Sequence, residues 1–257
     1  MNPILDLAGK RGLVVGIANE RSIATGCATL FRAAGAELAV TYLNDKAEPF
    51  VRPLAQALES DIVLPCDVRI PGQLEAVFER ITRDWGRLDF LLHSIAFAPA
   101  DDLHVSLVDC SAEGFALAMD VSCHSFIRMA RLALPLMTDG GSLMTISFYG
   151  AERAVEHYNV MGPVKAALES SVRYLAADLA VRRIHVHAIS AGAVRTRAAT
   201  GIDHFDALLD DVREHTPAQH LVTIEEIGRI ATVLASEAGM TLTGSTIYAD
   251  AGFHVMA

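Results

Sequence analysis

The sequence predicts a doubly wound α/β fold: a mostly or wholly parallel sheet of about seven strands with helices on both faces. Three observations point there. Short apolar runs bounded by Gly, Pro or polar residues recur along all 257 residues, and stretches of helical length separate them. Runs of this kind, flanked on both sides, fit strands buried on both faces, as in a parallel sheet. Hydrophobic residues make up 52% and charged residues 20%, enough apolar material for a sizeable core and too little charge for a disordered chain.

In order, the strand-like runs are Gly12–Gly16, Glu37–Tyr42, Ile62–Leu64, Leu88–His93, Ser142–Ile146, His185–Ile189 and Thr246–Ala249. Amphipathic helical stretches fall at Ile23–Ala34, Leu74–Trp85, Phe115–Leu136 and Val164–Ala180. A last helix opens at Thr223-Ile224-Glu225-Glu226, where Thr223 and Glu226 can satisfy orphan N–H groups as a capping box. Its apolar positions are Ile224, Ile227, Ala231 and Leu234. No linker, composition break or repeat divides the chain, so one domain over residues 1–257 is expected. The more polar Asp203–Gln219 reads as a helical insertion beside a ligand cleft, within a substrate-loop segment of about 194–219.

Net charge is −10, which argues against non-specific binding to nucleic acid or to anionic membranes, since both require a basic surface. Cys27, Cys66, Cys110 and Cys123 form no C-x-x-C pair and no Cys/His cluster, so reduced packing residues are expected and no metal site is. The N-terminus lacks a basic stretch followed by an apolar core, and the apolar runs are strand-sized, not membrane-spanning. A cytoplasmic protein without a membrane segment is the resulting expectation.

Chemistry concentrates at strand ends. Gly16 closes the first run and leads through a loop into a helix, the place where backbone N–H groups and a helix dipole seat a pyrophosphate. The G-x-G-x-x-G pattern is absent, so Gly16 and Gly26 equally suit a tight turn and helix–strand packing. Asp67, after the third run, can accept from an adenine amino group or serve a turn. His93 at the end of the fourth run reads as a satisfied interior histidine. Tyr158 and Lys165, seven apart, lie two turns apart on one face if both are helical. A phenol would then stand near a reacting oxygen, with an ammonium nearby to lower its pKa. Pro163 suits only the first turn of such a helix.

Several motifs together carry a family resemblance over nearly the whole chain. They are Gly16-x5-Ser22-Ile23-Ala24, Cys66-Asp67-Val68, and His93-Ser94-Ile95-Ala96-Phe97-Ala98-Pro99. Further along stand Gly150-Ala151-Glu152-Arg153, Tyr158-Asn159-Val160-Met161-Gly162-x2-Lys165-Ala166, Ala188-Ile189-Ser190-Ala191-Gly192 with Arg195-Thr196, and Asp250-x-Gly252-Phe253. The chain resembles the short-chain dehydrogenase/reductase superfamily, with its Rossmann fold. More closely it resembles the bacterial enoyl-acyl-carrier-protein reductases of dissociated fatty-acid synthesis. The Tyr-x6-Lys spacing carries that subfamily. Hydroxy-group dehydrogenases of the superfamily use Tyr-x3-Lys with an earlier Ser, and here those places hold Met161 and Phe148.

The resemblance implies NADH as cofactor and a trans-2-enoyl thioester as substrate. Tyr158 would hydrogen-bond the thioester oxygen as it becomes an enolate, and Lys165 would hold the ribose hydroxyls of the nicotinamide half. Gly16, Ser22 and Ile23 would line the pyrophosphate, Asp67 and Val68 the adenine, and Ser94 and Ala96 the middle of the cofactor. Val194 and Thr196 would meet the nicotinamide, while Ala98, Phe148, Tyr158 and Met161 face the substrate. A homotetramer is implied too, with Phe115–Leu136 and Val164–Ala180 as its paired helices.

The departures matter as well. Phe148 stands where the family often has a second Tyr, and Tyr149 would point elsewhere. Ala193 and Ala251 replace a Pro and a Gly. Asp203-His204-Phe205-Asp206-Ala207 replaces a segment that is often basic in relatives, which leaves room for a coenzyme-A thioester beside one on acyl carrier protein. After the second strand Lys46 is the only cation and Asp45 adjoins it, a poor seat for a 2′-phosphate. The alternatives are a reductase of another activated alkene or a carbonyl, and a catalytically silent dinucleotide-binding paralogue.

Overall fold

The computed structural model describes residues 5–196, 205–217 and 219–256. Its strands are β1 (Arg11–Val15), β2 (Glu37–Tyr42), β3 (Ile62–Pro65), β4 (Phe90–His93), β5 (Gly141–Phe148), β6 (Ile184–Ala191) and β7 (Ser245–Ala249). They form one seven-stranded sheet in the order β3-β2-β1-β4-β5-β6-β7, parallel at every pairing. The helices are α1 (Ile23–Ala33), α2 (Glu48–Ala57), α3 (Gln73–Asp84), α4 (Ala100–Leu103), α5 (Ala112–Met119), α6 (Ser125–Ala133), α7 (Met161–Leu179), α8 (Phe205–His215) and α9 (Ile224–Ala235).

Alternation along each strand divides the core in two. Leu13, Val15, Leu91, Leu143 and Val186 face one side, against Val77 and Ile81 of α3, Phe126 of α6 and Leu168 of α7. Val14, Val40, Leu92, Met144 and Ile189 face the other, against Phe31 of α1, Val51 of α2 and Ile227 of α9. Both sheet faces are therefore covered, and the doubly wound architecture predicted from the sequence is the one observed.

Each expected strand is present, within two residues at its N-terminal end. The fourth starts later than read, at Phe90, because Leu88 and Asp89 donate their N–H groups to Leu136 (3.0 Å) and Arg11 (2.8 Å) outside the ladder. Helix α2 had no counterpart in the sequence reading. Pro49 and Pro53 interrupt its pattern, yet one prolyl lies in the first turn and Pro53 stands on the exposed side, where Val51 and Ala55 still reach the core.

The expected single helix Phe115–Leu136 is a correction. It opens earlier, at Ala112, where Ser111 caps Gly114 N at 2.9 Å, and a π-helical turn at Asp120–His124 separates α5 from α6. The capping box of α9 forms as read: Glu226 N donates to Thr223 Oγ1 at 3.2 Å, and Thr223 N donates to Glu226 Oε2 at 2.8 Å. Gly26 packs not on a strand but on α9, since a Cβ there would lie 2.3 Å from the Ile224 carbonyl oxygen. One on Gly228 would lie 2.7 Å from that of Gly26. The four cysteines are free thiols.

Candidate active site

The sheet order reverses between β1 and β4, so their carboxyl ends open a crevice at the switch point. Gly16 leaves β1 at φ +113°, and a Cβ there would stand 2.1 Å from the Ser94 carbonyl oxygen. No other residue fits that position. The following loop is tied by Ser22, whose Oγ accepts from Ala18 N and Asn19 N at 3.0 Å each and donates to Asn19 O at 2.7 Å. Thr25 Oγ1 donates to the same carbonyl at 2.7 Å. The rigid loop delivers the N-terminus of α1, with its outward N–H groups, to the crevice.

A cavity of about 520 Å³ occupies the switch point. It brings together Gly16, Ser22, Ile23, Ser94, Ala96, Ala98, Phe148, Tyr158, Met161, Lys165, Val194 and Thr196, twelve of the fourteen site residues named from the sequence. Asp67 and Val68 lie outside it, at the carboxyl end of β3. Both carboxylate oxygens of Asp67 take hydrogen bonds from Arg69 (Nε to Oδ1 at 2.9 Å, an Nη to Oδ2 at 2.6 Å), which hold its carboxyl below the usual range. Arg69 also lies 5.2 Å from the centre of the Phe97 ring, at the cavity rim.

Tyr158 is not on the helix that carries Lys165. Helix α7 begins at Met161, and Tyr158 sits in the preceding turn between His157 (φ +62°) and Asn159 (φ +40°). Two left-handed residues at adjoining positions turn the phenol toward the sheet, a backbone strain of the kind found at working sites. The amide of Asn159 anchors that turn by donating to Leu103 O at 2.6 Å. Gly150 makes room for the ring: a Cβ there would lie 2.5 Å from Tyr158 Cδ1. Phe148 packs against the same ring, its centre 4.9 Å from that of Tyr158, so it keeps a packing role. Tyr149 points away, edge-on to Phe253 at 5.5 Å. Pro163 falls in the first turn of α7 and is accommodated there.

Lys165 is buried, and its Nζ donates to Ile146 O at 2.6 Å. Burial lowers its pKa to about 8, partly offset by the charge of Glu169. The phenol of Tyr158 is shifted upward, by burial first and by the Glu169 charge second. The sequence argument had Lys165 pulling it down; desolvation wins instead. Tyr158 is therefore a neutral hydrogen-bond donor across the physiological range.

His93 is an interior residue. Ser125 donates its one hydroxyl hydrogen to Val121 O at 2.6 Å, so it accepts from His93 Nε2–H at 2.8 Å; Thr145 Oγ1 then donates to Nδ1 at 2.8 Å. Burial drives the His93 pKa down to about 3, and the ring is neutral. Sequence reasoning gave no role to Gly150, Ser147 or Ser122. Ser122, on the π turn, binds both the N–H (2.8 Å) and the carbonyl (3.0 Å) of Phe97 and fixes the loop after β4. Its signal was a Ser, one of two with Ser125, in a largely apolar helical stretch.

The family model described as "Enoyl-(Acyl carrier protein) reductase" matches residues 16–254. The chain belongs to the enoyl-acyl-carrier-protein reductase family. Among curated enoyl-acyl-carrier-protein reductases, the NADH enzyme of Aquifex aeolicus is 45% identical, covering 97% of this chain and 93% of its own length. That of a Nostoc species is also 45% identical, covering 98% and 99%. The crystal structure of the Aquifex reductase superposes with TM-score 0.95 at 44% identity, covering 98% of both chains. The enoyl reductase of Anaplasma phagocytophilum, solved in complex with NAD, superposes at 0.94 and 43% identity, covering 100% of this chain and 97% of that one.

Proposed function

We infer that this chain is an NADH-dependent enoyl-[acyl-carrier-protein] reductase, which reduces the carbon–carbon double bond of trans-2-enoyl thioesters in fatty-acid elongation. The observation that carries this reading is one cavity holding Tyr158, Lys165 and the Gly16 loop together at the sheet's switch point. The crevice suits a dinucleotide: Gly16 admits no Cβ, Ser22 pre-forms the loop, and the α1 N-terminus favours an anion.

When bound, NADH supplies the hydride that reaches the β-carbon of the enoyl group. Gly16, Ser22 and Ile23 would hold its pyrophosphate, Asp67 and Val68 its adenine, Ser94 and Ala96 its middle, and Val194 and Thr196 its nicotinamide end. Lys165 would hold the ribose hydroxyls. Tyr158 would donate its phenolic hydrogen bond to the thioester oxygen, where negative charge grows as the enolate forms. The α-carbon then takes a proton, and the product is the saturated thioester. Ala98, Phe148 and Met161 supply apolar walls for the acyl chain, and Phe148 cannot contribute a second hydroxyl. Segment 194–219 is read as the substrate loop of a single domain; of it, residues 197–204 and 218 lie outside the described residues.

Acyl carrier protein is the proposed carrier, with coenzyme-A thioesters as a second substrate form. A homotetramer paired through α5–α6 and α7, in the cytoplasm, completes the proposal. Among the described residues no helix is long and apolar enough to cross a membrane. The test is NADH oxidation followed by absorbance, with crotonyl and longer enoyl thioesters beside a 3-ketoacyl thioester. Turnover confined to the enoyl substrates supports the reading; turnover of the ketoacyl thioester alone overturns it.

A further inference from the structure

Two side chains one turn apart on α7 enter the interior side by side and are received by consecutive residues of β5. Lys165 Nζ donates to the carbonyl of Ile146, and Ser147 Oγ donates to Oε1 of Glu169. All three side chains are buried, with Lys165 4%, Glu169 5% and Ser147 2% exposed. Spacing i, i+4 on a helix places Lys165 and Glu169 as neighbours. A carboxylate at such depth has a large desolvation cost unless something in the fold uses its charge. Nothing in the reduction chemistry derived above uses Glu169.

We propose that Glu169, oriented by Ser147, is the counter-ion that keeps the buried Lys165 ammonium charged and in position to bind the cofactor ribose. Glu169 is a positioning residue: it acts through Lys165 and does not line the cavity. The inference rests on the reading of Lys165 as a cofactor ligand given above. Burial, first, and the charge of Glu152 in the loop after β5 raise the Glu169 pKa. The hydrogen bonds of Ser147 and of Thr246 of β7, with the charge of Arg173 of α7, work against that and favour the carboxylate. Cys123 of the π turn also acts on Lys165, and the lysine charge is felt at His93 of β4. Of the groups near Lys165, Glu169 is the larger influence opposing its desolvation.

The sign follows directly. Lys165 already titrates near pH 8, and removing the carboxylate moves its titration further towards acid. The ribose then loses its ammonium donor at a pH where the parent enzyme retains it.

The experiment compares the parent with Glu169→Gln, Glu169→Asp and Ser147→Ala. Lys165 is titrated in the cofactor-free protein by NMR of carbon-labelled lysine side chains, and NADH affinity is measured by fluorescence from pH 6 to 9. In Glu169→Gln the Lys165 midpoint is expected to fall by at least about one pH unit, with NADH affinity near parental at pH 6 and about fivefold weaker at pH 8. Ser147→Ala should move both readouts the same way by less, and Glu169→Asp should restore much of the midpoint. An unmoved Lys165 midpoint in both Glu169→Gln and Ser147→Ala overturns the proposal, whatever happens to NADH binding. A shifted midpoint with pH-independent NADH affinity upholds the counter-ion role and refutes the assignment of Lys165 to the ribose.

Discussion

At the scale of single residues, the site depends as much on what is missing as on what is present. The phenol of Tyr158 reaches its place because Gly150 has no side chain and because His157 and Asn159 accept left-handed backbone. Gly150→Ala should therefore displace the ring and lower kcat at least tenfold while leaving the Kd for NADH within about twofold, the pattern also expected of Tyr158→Phe. Steady-state kinetics beside fluorescence titration checks both. Equal loss of NADH affinity and turnover would show that Tyr158 serves the cofactor and not the substrate oxygen.

A second residue-scale prediction concerns acid. His93 and His187 are buried and neutral, with pKa values pushed down to about 3 and about 4, whereas unfolded histidine titrates near 6.5. The unfolded chain takes up their protons first, so their contribution is complete above pH 6.5 and is lost progressively as pH falls toward 4 and then 3. Tm should decline over that window. His93→Gln can still accept from Thr145 and donate to Ser125, so it should flatten part of the slope. A Tm independent of pH between 6.5 and 4 would contradict this account.

At the scale of elements, the approach of α1 to α9 sets the cofactor crevice. Each helix carries a glycine where the other's backbone comes close. Gly26→Ala should destabilise the fold by about 1–3 kcal/mol through overpacking and weaken NADH binding by shifting the α1 N-terminus. Denaturant melts and NADH titration together decide this. Thr223→Ala, which removes only the cap of α9, should cost about 1 kcal/mol and leave NADH binding intact.

These same elements show what was legible in the sequence and why the rest was not. The sheet is covered on both faces, so its strands appeared as short, mostly apolar runs despite His185 and His187 in β6. The capping box of α9 is a local pattern and was read correctly. Helix α2 was hidden because proline statistics are local, while its stability comes from Val51 and Ala55 against the sheet. The π turn was invisible, since one extra residue in a helix leaves no clear mark in hydrophobic periodicity. The spacing of Tyr158 and Lys165 was plain, but the turn separating them required left-handed backbone at His157 and Asn159, which those residue types do not announce.

At the scale of the whole molecule, an acidic enzyme has to meet an acidic carrier. Arg195 pairs with Asp206 at 2.6 Å and Arg213 with Asp210 at 2.9 Å, so both described arginines of the cleft region are already engaged within the chain. The third, Arg197, lies with Asp203 outside the described residues. Docking through this patch should consequently be weak, with a shallow salt dependence of KM for the carrier-bound substrate that neutralising the three arginines flattens further. A steep dependence that survives their neutralisation would move docking to another surface. Sedimentation at micromolar concentration tests the tetramer, and a stable monomer would refute it.

The central claim is that hydride reaches the β-carbon of an enoyl thioester while a solvent proton reaches the α-carbon. Its most direct test is a reaction of crotonyl thioester with NADH deuterated at the transferring position, in ordinary water, with the product analysed by NMR and mass spectrometry. The account predicts a saturated thioester with one deuterium, at the β-carbon, and hydrogen at the α-carbon. Deuterium at the α-carbon, or a product retaining its double bond, would contradict it.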